Sequence, residues 1–262
     1  MIVMLMMPLS IVAQPQSVQD EIKYAAYLVD NGKNSLAYQT LNSLIAKSPS
    51  AHEAYYLRAR AYYNDGNAKS ALYDIDQALK RRPTSPQYLE LRGDILSSAG
   101  KYSQAAETFS KATKADGDRF TLPYKAARAF LDSEKNIEKA IQYAEKCLEL
   151  APENDSAKSI AAEAYIAADN TVDALKVINT ISDRSASFFR LRGIAYCKSQ
   201  LNDLSICDLN MSLDIDPSLS DIYLWRGLAY YQKGDREAAH SDWEAAIRLR
   251  QYRAKDYLQK YR

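Results

Sequence analysis

The stretch LWRGLAYYQKGD, residues 224–235, decides the fold of this chain, because its Arg-Gly pair and its tyrosines recur along the sequence. Related stretches read YLELRGDILSSAG and FFRLRGIAYCKSQ, and a weaker form reads YYLRARAYYNDG. When they are aligned on the small residue, Gly93 follows Ala59 by 34 residues and Gly227 follows Gly193 by 34. The series is completed by Ala25, Ala127 and Ala162. The chain is therefore a tandem repeat of seven copies, and single motifs have to be interpreted within that repeat.

A second set of landmarks gives each repeat its structure. An aromatic residue or Leu follows the small residue by three, several copies then have a Gly, a second small residue comes next, and Pro closes several copies. Residues three or four apart share one helix face, Gly ends a helix and Pro stops one. Small residues allow two helix backbones to approach closely. Each repeat is therefore predicted to be a helix, a tight turn and an antiparallel helix.

This pattern resembles the tetratricopeptide repeat (TPR), a helix pair of 34 residues. The resemblance implies an all-α fold, a right-handed α-solenoid of antiparallel helix pairs whose first helices line a concave groove. The predicted repeats are 18–51, 52–85, 86–119, 120–154, 155–185, 186–219 and 220–253, followed by a capping helix at 254–262. The fourth repeat has one extra residue and the fifth is three residues short. We therefore expect a local change in the path of the superhelix at these repeats.

Arginine precedes the small residue in four repeats, where members of the family commonly carry Leu. The predicted ion pairs join each Arg to the Asp sixteen residues later and are Arg58–Asp74, Arg192–Asp208 and Arg226–Asp242. Arg92 has Thr108 at that position. An unpaired guanidinium facing a neighbouring helix would be costly, so each pair is predicted to be bidentate and to fix the register of its two helices. The alternative is that these arginines bind an anion in a groove.

On the first helices, the face opposite the apolar packing stripe mixes aromatic and charged side chains, as peptide-binding surfaces do. The predicted groove residues are Tyr56, Arg60, Tyr63, Glu90, Asp94, Tyr124, Arg128, Glu163, Arg190, Lys198, Leu224 and Tyr231. The alternative is that they are ordinary exposed helix residues. Some TPR proteins grip a C-terminal carboxylate with Lys, Asn and Arg, but Ala26, Arg60 and Asp94 occupy the equivalent places here and argue against such a clamp.

Composition argues against several classes of function. A net charge of +1 provides no global field to attract nucleic acid or acidic lipid. The two histidines, His52 and His240, are far apart and lack partners at metal-ligand spacing, and the Ser and Cys residues lack a plausible His partner for nucleophilic catalysis. We therefore expect no catalytic residues, no metal site and no cofactor.

The three cysteines do not form a disulfide framework. Cys197 and Cys207 are ten residues apart, across a predicted helix turn, so a disulfide between them is the alternative. The preferred interpretation is that all three are small buried hydrophobic residues.

The N-terminal residues 1–13, MIVMLMMPLSIVA, carry no charge and are nearly all apolar. In a helix they would rise only about 20 Å, too little to span a bilayer, but the length suits the apolar region of a secretory signal peptide. No Lys or Arg lies near Met1, so either the true start lies upstream or the signal is atypical. The segment predicts export to the periplasm or cell envelope, with a cytoplasmic location as the alternative.

The sequence thus predicts a non-catalytic scaffold that holds a peptide or partner protein in its groove, in the context of the cell envelope or secretion. Two alternatives stay open: a cytoplasmic adaptor or chaperone-associated module, and a self-associating structural protein. Neither a nucleic-acid partner nor a transmembrane span is expected. Because one helical-repeat fold serves unrelated ligands, the sequence does not name the partner.

Overall fold

The computed structural model describes residues 17–261, which form fifteen α-helices and contain no strand. The predicted all-α fold of paired helices is confirmed. The proposed signal peptide at 1–13 lies outside the described residues. Within 17–261, no helix combines the length and the apolar character needed to cross a membrane.

The chain divides into two compact units, an N-terminal unit that ends at Lys101 and a C-terminal unit that begins at Tyr102. The helices of the N-terminal unit are α1 (Val18–Asp30), α2 (Asn34–Lys47), α3 (His52–Asn64), α4 (Ala68–Arg81) and α5 (Pro86–Ser98). Those of the C-terminal unit are α6 (Tyr102–Ala115), α7 (Thr121–Ser133), α8 (Ile137–Leu150), α9 (Asp155–Ala167), α10 (Thr171–Ile178), α11 (Ala186–Lys198), α12 (Asn202–Ile215), α13 (Ser220–Gln232), α14 (Arg236–Arg248) and α15 (Ala254–Lys260).

Local sequence signals start and end these helices. The side chain of Asn154 accepts hydrogen bonds from two backbone N–H groups at the start of α9, and Asp235 caps α14 in the same way. Gly234 ends α13 with a φ of 89°, a left-handed conformation that favours glycine. The Gly-Asp end of the opening stretch is therefore a helix stop followed by a helix start.

The two irregular repeats differ from the others at identifiable places. In the fourth repeat, Glu134 takes the same left-handed conformation (φ 54°) as Gly66 and Gly234, and the extra residue lies between it and the start of α8 at Ile137. In the fifth, α10 has 8 residues, whereas α8 and α12 have 14 each. The ammonium group of Lys158, which is 5% exposed, donates to the carbonyl of Thr180 just beyond α10 at 3.1 Å. A buried lysine thus satisfies a backbone group at the end of the shortened helix.

The cysteine prediction is right in part. All three thiols are free; Cys147 and Cys197 are buried, but Cys207 is exposed. The structure therefore forms no Cys197–Cys207 disulfide. Cys207 is not a buried hydrophobic residue, because it lies on the outer side of α12.

Close helix packing explains the glycine that replaces alanine in the last two repeats. A Cβ atom on Gly193 would lie 2.7 Å from Cγ of Leu209, and one on Gly227 would lie 2.6 Å from Nε1 of Trp243. Both distances are shorter than real Cβ contacts, so the Leu209 and Trp243 side chains, as they are packed, leave no room for a methyl group at these two positions.

We expect Gly227→Ala to destabilise the protein by about 1–3 kcal/mol, because the added methyl group overpacks a filled core. Urea unfolding followed by circular dichroism measures the change. Gly117→Ala is the matched control, since a Cβ atom there meets nothing within 4 Å. Equal midpoints for the two variants would contradict the close-packing explanation.

Candidate functional site

The predicted groove residues of the N-terminal unit lie among stacked rings and ion pairs. Tyr56 of α3 stacks on Tyr88 of α5 with 4.7 Å between ring centroids, and Arg60 donates to the carboxylate of Asp30 at 2.6 Å. Burial raises the pKa of the Tyr88 hydroxyl to about 12. Tyr63 packs against the core of the same unit. The acids predicted for α5 are half-buried and are Glu90 and Asp94.

In the C-terminal unit, the predicted groove residues form a chain of alternating charges across four first helices. Arg128 of α7 donates to Glu163 of α9 at 2.5 Å. Glu163 lies 3.9 Å from Arg190 of α11, which donates to Asp221 of α13 at 2.7 Å. Although burial opposes its charge, the hydrogen bond to Glu163 raises the pKa of Arg128 above its ordinary value. The structure thus brings three predicted residues together and adds Asp221, which the sequence analysis missed.

Lys198 continues this charged surface at the end of α11. Its ammonium group pairs with Asp169 and lies 5.5 Å from the centroid of the Trp225 ring, a cation–π arrangement. Tyr124 is half-buried on α7. The first helices of the C-terminal unit therefore present aromatic and charged groups side by side.

A cleft of about 510 Å³ opens beside these side chains, entirely within the C-terminal unit. The larger apolar residues in its lining are Leu131, Ile137, Ile166, Leu191, Ile194, Leu224 and Trp225. The charged residues in its lining are Glu134, Glu163, Arg190, Lys198, Asp221 and Arg253. We call this space the cleft, and it is the candidate functional site, because concave and largely apolar spaces with a few polar groups are where proteins bind ligands.

The C-terminal segment also contributes to the cleft. Arg253, just before α15, pairs with Glu134 after α7, and Gln251 and Tyr257 are in the lining. The two partners of this ion pair are 119 residues apart. No local pattern in the sequence indicates such a contact, which is why the predicted groove contained none of these residues.

Two predicted groove residues have a different environment from the expected one. Leu224 is 5% exposed and belongs to the core of the last repeat, so it supplies apolar lining and not an exposed contact. The ring of Tyr231 lies 4.4 Å from that of Tyr261, just after α15. Tyr231 therefore packs against the C-terminal segment, because that segment covers the face predicted to be open.

Three of the four arginines before the small residues contact a carboxylate on the second helix of the same repeat. Each guanidinium donates through two nitrogens to the two oxygens of its carboxylate. The hydrogen bonds measure 2.6 and 2.8 Å for Arg58–Asp74 and 2.6 and 2.9 Å for Arg192–Asp208. They measure 2.8 and 2.6 Å for Arg226–Asp242. The three Asp side chains are 1%, 6% and 9% exposed in that order. Because the guanidinium groups are engaged by these carboxylates, the alternative of an anion site has no support at these positions.

Arg92, which has Thr108 at the position sixteen residues later, finds its acidic partner in the other direction along the chain. Arg92 donates to Asp76 at 2.8 Å, a residue that precedes it by sixteen on the second helix of the previous repeat. Arg58 and Arg226 make the corresponding backward contact, because each donates at 2.6 Å to an Asn sixteen residues earlier. The sequence signal was present in the other direction along the chain.

The described residues offer no group of His, Cys, Asp and Glu able to hold a metal ion. His52 lies 2.8 Å from the hydroxyl of Tyr88, and His240 lies 3.2 Å from the carbonyl of Tyr261. Each histidine therefore has a structural hydrogen-bond partner.

Family models described as tetratricopeptide repeat match residues 25–86, 70–120, 90–155, 133–192 and 220–253. The mouse protein DnaJ homolog subfamily C member 3 is 23% identical over 236 residues, which are 89% of this chain and 43% of that protein. The tetratricopeptide repeat and J domain-containing co-chaperone DNJ1 of Cryptococcus neoformans is 24% identical, over 83% of this chain and 38% of its own length. The chain thus spans less than half the length of these relatives.

Solved structures show the same fold. A tetratricopeptide repeat protein from Parabacteroides merdae has a TM-score of 0.70 at 19% identity and covers 93% of this chain and 98% of its own. Pseudomonas aeruginosa PilF has a TM-score of 0.60 at 17% identity, over 76% of this chain and 92% of its own. At such identities the likeness concerns the fold alone.

Proposed function

Because the chain belongs to the tetratricopeptide repeat family, we propose that it is a non-catalytic scaffold that binds a segment of another protein in the cleft of its C-terminal unit. The cleft itself is the observation that carries this proposal. Its volume of about 510 Å³ falls within the usual range of ligand pockets, about 300–1,000 Å³. Buried apolar area supplies most of the free energy of such binding.

The charges around the cleft indicate what kind of segment it accepts. Arg190 pairs with Asp221, Lys198 with Asp169, and Arg253 with Glu134. A partner with a large charge would have to break these pairs or leave its own charge unpaired. The proposed occupant is therefore a segment with apolar anchor side chains, and its affinity should depend little on salt.

We expect Ala167→Trp to abolish binding of this partner, because Ala167 lies in the lining, is itself exposed, and a Trp there fills the cleft without entering the core. The wild-type protein and each variant are photo-cross-linked in an extract of the cells that produce the protein, and the captured partners are identified by mass spectrometry. Ala115→Trp on α6 is the matched control, since it places the same bulk on an exposed helix end away from the lining. A partner retained equally by both variants does not use the cleft.

We further propose that the protein works in the cell envelope, after export directed by residues 1–13. The support is the uncharged apolar composition of that segment. Fractionation of the untagged protein tests the proposal. An intact chain starting at Met1 in the cytosol would rule out export, whatever the cleft binds.

A second candidate function is chaperone assistance, in which the bound segment belongs to an unfolded client. Its support is the match of 83–89% of this chain to relatives whose names include DnaJ homolog and co-chaperone. Binding of a carboxymethylated, permanently unfolded protein separates the two functions. A scaffold for one partner should bind the unfolded protein no better than the folded form of the same protein. A co-chaperone should prefer the unfolded form.

A further inference from the structure

The outer face of α12 carries an apolar stripe that no other part of its repeat covers. Leu204, Met211 and Ile215 are 51%, 41% and 55% exposed, and Cys207 between them is also exposed. Their spacings of three, four and four residues place them on one side of the helix. The stripe, defined as these four residues, is about 16 Å long at 1.5 Å per residue.

The second helices α4, α6 and α8 do not have this stripe, so the repeat does not require it. When the repeats are aligned on their second small residue, α4 has Ser70, Tyr73, Gln77 and Arg81 at the four positions, and α6 has Gln104, Glu107, Lys111 and Ala115. The corresponding residues of α8 are Lys139, Gln142, Lys146 and Leu150. A contiguous exposed apolar surface that the repeat does not require indicates an interaction site.

The charge at the Ile215 end of the stripe is negative, whereas at the other end Lys233 pairs with Asp203 beside Leu204. The sequence has no Lys or Arg between Lys198 and Arg226. Asp214 is exposed and directly precedes Ile215. Asp216 directly follows it, and hydrogen bonds from the hydroxyl and backbone N–H of Ser218 lower the pKa of Asp216, so this end of the stripe is anionic at neutral pH.

We propose that the stripe docks an amphipathic helix with basic flanks from another protein, as an interaction surface separate from the cleft. Apolar side chains of that helix would pack into the stripe, as ridges pack into grooves, and its Lys or Arg side chains would meet Asp214 and Asp216. Charge decides against other occupants. A second copy of α12 would bring like charges together, and an anionic lipid surface would be repelled.

The probe is a fluorescein-labelled synthetic helix with Leu at alternating three- and four-residue spacing and Lys on both flanks. We expect the full-length protein to bind it about tenfold more tightly than a sister peptide with Glu on the flanks, by fluorescence anisotropy. The double variant Met211→Ser/Ile215→Ser should lose binding of the Lys peptide. Both residues are exposed, so the variant should keep its circular dichroism spectrum.

A second readout locates the peptide on the protein. Burial raises the pKa of the Cys197 and Cys147 thiols to about 12, so Cys207 is the thiol expected to react with iodoacetamide at pH 8. Saturating Lys peptide should slow alkylation of Cys207, as measured by mass spectrometry. Binding without this protection would overturn the proposal.

The matched control is Lys111→Ser/Ala115→Ser, which changes the equivalent positions of α6 and should leave binding unchanged. Equal affinity for the Lys and Glu peptides, binding to vesicles with 30% phosphatidylglycerol, or dimerisation that the Met211→Ser/Ile215→Ser variant abolishes would each overturn the proposal. The cleft variant Ala167→Trp should bind the peptide normally, so failure of this proposal and failure of the cleft proposal give different results.

Discussion

Trp243→Ala should destabilise the C-terminal end of the protein by about 3–5 kcal/mol, the usual cost of removing a large aromatic side chain from a core. Trp243 is fully buried, and its indole N–H donates to the carbonyl of Leu224 at 3.2 Å. Its ring lies 5.7 Å from the rings of both Tyr257 and Tyr261. The substitution therefore removes the core of the last repeat and the surface on which α15 packs.

Hydrogen exchange measured by mass spectrometry is the appropriate readout, because repeat arrays lose structure locally. Exchange should rise in α13, α14 and α15 and stay unchanged in α7. Trp225→Ala is the control, since Trp225 is only partly buried, and its effect should be smaller. Protection of α15 as strong as in the wild type would show that Trp243 does not hold the cap.

The same pair of helices permits a test of coupling. The methyl group of Gly227→Ala conflicts mainly with the Trp243 ring, at 2.6 and 2.7 Å. In the Trp243→Ala background that conflict is gone, so Gly227→Ala should cost less than it does alone. Substitutions in direct contact are expected to be non-additive in this way. If the two destabilising effects simply add, the Trp243 ring is not what disfavours a methyl group at position 227.

The helix pairs and their ion pairs could be predicted because the repeat fixes the geometry within each pair. A constant period sets which residues of the first helix face the second, so one spacing of sixteen predicts Arg58–Asp74 and Arg192–Asp208 alike. The contact of Arg92 with Asp76 crosses from one repeat to the previous one. It follows from the same period applied in the opposite direction.

The cleft was less predictable, because its lining depends on where the repeat pattern ends. Arg253 and Tyr257 lie after α14, the last repeat helix, and nothing in a repeated pattern tells where a non-repeated segment packs. Tyr231 illustrates the result: it occupies a groove position in the repeat register, yet the segment after α14 covers it. The stripe on α12 was missed because the fold does not require it.

Asp208→Ala should destabilise the protein by about 3–5 kcal/mol, because it leaves the guanidinium of Arg192 without its carboxylate in a largely buried position. Asp208 is 6% exposed and accepts two hydrogen bonds from Arg192. The hydrogen bonds that Arg192 donates to Asp208 raise the pKa of Arg192. Urea unfolding followed by circular dichroism gives the change in unfolding free energy.

Exposure, and not charge alone, should set the size of this effect. Asp76→Ala is the matched control: its carboxylate also accepts from an arginine, but it is 47% exposed, so the loss should stay below about 1 kcal/mol. The double variant Arg192→Ala/Asp208→Ala should be less destabilised than the sum of its single variants, because it removes the charge that Asp208→Ala leaves unpaired. If the two effects add, the pair does not act as a unit. If the double variant approaches the wild type, the pair serves the register of α11 and α12 more than their stability.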